Sequence, residues 1–68
     1  MPAPDADERI VKLVHDLRTP LTVVSGFAEL LERDHAKLTE ERRAEYVSRI
    51  AAATRELREI LDAQRAGG

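Results

Sequence analysis

No cysteine occurs among the 68 residues, so neither a disulfide nor a thiolate zinc site can staple this chain. The two histidines, His15 and His35, lie far apart in the chain and make no metal site without converging carboxylates. Aromatic residues are equally scarce: one Tyr and one Phe leave no platform for stacked bases. Blocks of like charge are missing too. The 11 basic and 13 acidic side chains are interspersed to a net charge of −2, which excludes a nucleic-acid footprint. No apolar run approaches the roughly 20 residues of a membrane span, and no signal-peptide pattern precedes the first charges, so the chain reads as soluble. A domain of this size buries only about 60% of the surface its unfolded state exposes. With staples and metals excluded, oligomerisation is the remaining stabiliser.

What is present is helical periodicity. Asp5 followed by Glu8 reads as a capping box, which starts a first helix near Ala6 and carries it to Asp34. Along it Ile10, Val14, Leu17, Leu21, Val24, Ala28 and Leu31 recur at alternating steps of four and three, a heptad seam. Leu13, Pro20 and Phe27 flank that seam and widen it beyond a two-stranded zipper. The pattern lapses over residues 35–39, where Thr39 is a good N-cap with Glu40 and Glu41 behind it. A second helix over 40–65 repeats the spacing through Val47, Ile50, Thr54, Leu57, Leu61 and Gln64, broadened by Ala53 and Ile60. Gly67 and Gly68 read as a flexible end. Glu8 with Lys12, Glu29 with Arg33 and Glu45 with Arg49 have the i,i+4 spacing of weak surface pairs. One short connection implies an antiparallel hairpin, and stripes this wide need more than one neighbour. The expected fold is therefore all-α, a two-helix antiparallel hairpin forming a homodimeric four-helix bundle as one domain over residues 1–68.

The chemistry concentrates in His15-Asp16-Leu17-Arg18-Thr19-Pro20-Leu21. Proline inside a helix removes one N–H and crowds the carbonyl four residues back, here that of Asp16, at a cost of ~3 kcal/mol or more. Strain accepted beside a His and an Asp points to chemistry. His15 stands one step off the seam, on the flank of the bundle. A neutral imidazole there can attack phosphorus through one ring nitrogen, and a neighbouring carboxylate, Asp16, can orient the ring and stabilise the charge that develops. Thr19, one turn on, offers a hydroxyl that can hold a water for the reverse hydrolysis. Arg18 is either a partner for an acidic group or an ordinary surface arginine, and His35 in the loop is read as a surface residue.

These seven residues resemble the H-box of sensor histidine kinases, whose pattern of His, acidic, aliphatic, basic, Thr or Asn, Pro and Leu is matched at every position. The similarity extends through Gly26-Phe27-Ala28-Glu29-Leu30-Leu31 and the second helix to Leu61-Asp62-Ala63-Gln64-Arg65, with Ala63 smaller than the family's usual aliphatic. The resemblance implies a dimerisation and histidine-phosphotransfer domain. In it His15 would take the γ-phosphoryl of ATP and pass it to an aspartate of a response regulator. Asp16 would be the activating base, Thr19 would serve dephosphorylation of the regulator, and Pro20 would bend the helix beneath an upstream sensor. It also implies a partner domain that binds ATP and Mg, because this chain has no Gly-rich stretch or βαβ pattern and is expected to bind no cofactor itself. That domain would act in cis or in trans. A cytoplasmic location, with the parent protein anchored in the inner membrane in most family members, is likewise an implication of the family.

Below His15, Val23, Gly26, Phe27 and Leu30 form an apolar strip where surface helices are ordinarily polar. Val23 and Leu30 read as a docking surface for the regulator's receiver domain, with Gly26 allowing close approach; Phe27, at the seam's edge, fits either docking or core. Two other classes compete with the kinase reading: a stand-alone phosphotransfer protein, and a structural helical dimer that leaves Pro20 beside Asp16 unexplained.

Overall fold

The computed structural model describes residues 4–67, and side chains over 7–65. Two helices make up the fold, α1 (Pro4–Asp34) and α2 (Glu40–Gly67), packed against each other as an antiparallel hairpin. Neither is long and apolar enough to cross a membrane. α1 begins ahead of the expected Ala6. Pro4 serves as its first residue, where a missing N–H costs nothing, and Asp5, already helical, cannot be its N-cap. The Asp5 side chain of the expected capping box lies outside the described side chains. At the other end Gly67 still belongs to α2, and Gly68 lies outside the described residues.

The start of α2 follows its cap. The Thr39 hydroxyl accepts from the Arg42 N–H at 3.1 Å and the Thr39 carbonyl from the Arg43 N–H at 2.9 Å. The turn before it uses no left-handed residue. Instead the Asp34 carbonyl accepts from the Lys37 and Leu38 N–H groups at 2.8 and 3.1 Å. His35 Nδ1 meets the Glu32 carbonyl at 2.9 Å, and Arg43 donates to the His35 carbonyl at 3.0 Å. Backbone N–H groups of the turn, with the His35 and Arg43 side chains, thus satisfy the end of α1 that glycine closes in many helices.

The hairpin contact uses only part of the broad apolar stripe. Leu13, Leu17, Pro20, Val24, Phe27 and Leu31 of α1 meet Tyr46, Ile50, Ala53, Leu57 and Ile60 of α2, all of them half-buried or buried. Pro20 and Ala53 are the most enclosed. Phe27 and Tyr46 set the register with ring centroids 5.2 Å apart. Two turns back along α1 and two turns on along α2, the same register places Pro20 opposite Ala53, a bulky residue facing a small one. The expected seam is corrected here. Ile10, Val14, Leu21, Val47 and Leu61 remain 60, 50, 53, 52 and 51% exposed, and Ala28 and Thr54 are exposed as well. A single partner helix covers a stripe of roughly 100°, which Leu17, Val24 and Leu31 of the expected seam share with the flanking heptad of Leu13, Pro20 and Phe27.

The expected i,i+4 ion pairs also give way to shorter-range ones among the described residues. Arg33 forks onto its neighbour Asp34 at 3.1 and 3.2 Å, and Glu45 meets Arg42 at 3.6 Å.

Candidate functional site

α1 runs without interruption through Pro20, and the buried Pro20 ring fixes which way the preceding turn faces. Leu17 and Pro20 face α2, so His15, some 150° around from that contact stripe at about 100° per residue, stands on the outer side of the hairpin. Its imidazole is exposed, as are the side chains of Asp16 and Thr19. The three share one helical patch: Thr19 lies one turn beyond His15 and falls between His15 and Asp16 in angle. Among the described residues no hydrogen bond ties any of the three to another group. The imidazole is therefore open to an incoming reactant on its outer face. Around Pro20, the Thr22 hydroxyl donates back to the Arg18 carbonyl at 2.8 Å.

Two shallow depressions meet at His15. One, of about 500 Å³, is bordered by Asp7, Glu8, Val11, Lys12, His15 and Asp16, three of them acidic. The other, of about 310 Å³, is bordered by Ile10, Val11, Val14, His15 and Arg18, with one cation on an apolar floor. Val11, 67% exposed, lies on both and escaped the sequence reading because it falls off the heptad. No group of three His, Cys, Asp or Glu among the described residues has the geometry of a metal site.

Further along the same face, Val23, Gly26, Phe27 and Leu30 come together with Thr22 around a third groove of about 260 Å³. It opens about 10 Å of helix axis beyond His15. Val23, Phe27 and Leu30 are half-buried, and Gly26 is exposed. Phe27 packs one side of its ring on Tyr46 and also borders the groove. At Gly26 an added Cβ would meet nothing within 4 Å, so no packing inside this hairpin requires glycine there. Tyr46, which packs on the groove residue Phe27, was missed by sequence reasoning. It is the lone aromatic of α2, a signal that acquires meaning only once α2 lies beside Phe27.

The family model described as "His Kinase A (phospho-acceptor) domain" matches residues 10–64, more than three-quarters of the chain and all of the residues around these three grooves except Asp7 and Glu8. Neither curated proteins nor solved structures give a significant match.

Proposed function

This chain belongs to the His Kinase A (phospho-acceptor) domain family, the phosphoacceptor and dimerisation part of histidine kinases, and we propose that His15 is its phosphoacceptor. The observation that carries the reading is the exposed His15, turned away from the hairpin contact within a full H-box, with none of the described side chains covering it. A ring nitrogen of neutral His15 attacks the γ-phosphorus of ATP held by a separate catalytic domain. The N–P bond forms as the bond to the β,γ-bridging oxygen breaks, and ADP leaves. Asp16 accepts a hydrogen bond from the proton on the other ring nitrogen and its negative charge offsets the positive charge that develops on the ring. In the second transfer an aspartate oxygen of a receiver domain attacks the same phosphorus and His15 departs as neutral imidazole. Thr19 positions a water for hydrolysis of the receiver's acyl phosphate, and Pro20 gives α1 its point of bending. ATP and Mg belong to the catalytic domain.

The groove over Gly26 is the docking surface for the receiver domain in this reading. It continues the His15 face, it is apolar, and its glycine has no use within the hairpin.

The working unit is a homodimer. Ile10, Val14, Leu21 and Ala28 lie about 80° around α1 from the hairpin stripe, and Val47, Thr54 and Leu61 about 80° around α2 from its own. Because the helices are antiparallel, both sets fall on one side of the hairpin, opposite the groove over Gly26. The accessible surface of 5758 Å² exceeds the about 4,300 Å² of a compact 7.6-kDa monomer by more than a standard interface takes from each partner. A second copy closing over this side makes the four-helix bundle.

The test is incubation with labelled ATP and the cognate catalytic domain. The wild-type chain should acquire acid-labile, base-stable label and His15→Gln none; a wild-type dimer that stays unlabelled beside an active catalytic domain overturns the assignment.

A further inference from the structure

The groove over Gly26 is bordered wholly by α1, yet its largest wall is held from α2. The Phe27 ring lies 5.2 Å from that of Tyr46, centroid to centroid, at an interplanar angle of 45°. That separation and tilt belong to the attractive range for aromatic pairs. Both rings are half-buried, so each keeps an edge at the surface. Gly26 leaves the helix surface beside Phe27 without a side chain, and apart from its two chain neighbours a Cβ there would touch nothing within 4 Å. An aromatic ring next to such a gap and without a fixed neighbour rotates about its two side-chain torsions and can fold across the opening.

We propose that Tyr46 is a positioning residue for docking of the receiver domain: by packing on Phe27 it keeps that ring upright as a wall and the space above Gly26 open. The inference rests on the reading of this groove as the docking surface. Tyr46 acts through Phe27, which lies about 18 Å of helix axis from His15, so it governs encounter and leaves the phosphoryl chemistry alone. What the receiver domain meets is then composed by both helices: an aliphatic side chain inserted over Gly26 meets Val23 and Leu30 and, beyond them towards α2, a ring whose angle α2 sets.

The experiment uses chain phosphorylated on His15 by the cognate catalytic domain. Transfer is followed against concentration of the receiver domain that accepts fastest from the wild-type chain. Tyr46→Leu should raise the half-saturating receiver concentration roughly 2- to 10-fold, the strength of an aromatic pair, with the maximal rate unchanged. Tyr46→Phe, which keeps the ring, should behave as wild type. Phe27→Leu should raise the same concentration, and Tyr46→Leu added to it should raise it no further. A fall in maximal rate without a shift in half-saturation, or independent multiplying effects of the two substitutions, overturns the role of Tyr46. Should Tyr46→Leu lose helical circular dichroism, the other two substitutions still decide: a need for more receiver in Tyr46→Phe, or for no more in Phe27→Leu, sinks the proposal. Val23→Glu separates the underlying reading. If it leaves half-saturation untouched the groove is not the docking surface, whereas a large effect of Val23→Glu with none from Tyr46→Leu removes Tyr46 alone.

Discussion

At the scale of single residues, His15 and Asp16 differ in what each can lose. Gln in place of His15 removes the nucleophile and should abolish labelling. Asn in place of Asp16 keeps size and hydrogen bonding but not charge, so labelling should slow by roughly 10²-fold or more, the usual contribution of a positioned acid–base group. Single-turnover labelling with saturating catalytic domain measures this, and a wild-type rate in Asp16→Asn would remove Asp16 from the mechanism. Away from the site, the Arg33 guanidinium forked onto Asp34 holds that carboxyl below its ordinary range, chiefly through the hydrogen bond. A carboxyl so depressed contributes stability above its unfolded pKa of about 3.9 and loses it as pH falls through the lower folded value. Thermal unfolding followed downward from pH 5 should therefore show an acid limb below about pH 4 that flattens in Asp34→Asn. An identical limb in the variant would assign it to other carboxylates.

At the scale of the helix, Gly26 separates stability from function. Glycine in a helix interior is less favourable than alanine by about 0.5–1 kcal/mol, and here a methyl group has room. Gly26→Ala should therefore raise the melting temperature while slowing transfer to the receiver domain; a variant both more stable and equally fast would show that nothing approaches closely there. Thr39 gives the opposite case. Its hydroxyl caps α2 through the Arg42 N–H, so Thr39→Ala should cost about 0.5–2 kcal/mol with transfer kinetics intact, measured by denaturant unfolding at fixed protein concentration.

At the scale of the whole molecule, the hairpin is long and thin. Its radius of gyration is 16.1 Å, against about 11 Å for a compact domain of this length, and it has little interior of its own. Leu21 and Leu61 stand on the apolar side assigned to the second copy. Leu21→Glu with Leu61→Glu should shift sedimentation from dimer to monomer and lower the melting temperature, whereas Val23→Glu, on the other side, should sediment as wild type. A dimer that survives the double substitution would place the interface elsewhere.

Much of this was legible in the order of residues. The three-four spacing determined two helices, Thr39 determined where the second starts, and the seven residues from His15 to Leu21 determined the family, because each rests on local geometry that a few neighbours dictate. The first cap was misread because a helix can open on Pro4 as well as after Asp5. The division of the apolar stripe was not legible at all. Val14, Leu21 and Ala28 repeat as regularly as Leu13, Pro20 and Phe27, and a period cannot say which of two interleaved heptads its own partner helix will cover. Only packing against α2 decided that, by enclosing Pro20 and Ala53 and leaving Val14, Leu21 and Ala28 on the surface. The pairing of Phe27 with Tyr46 was likewise out of reach, since it joins residues on different helices whose register no local signal fixes.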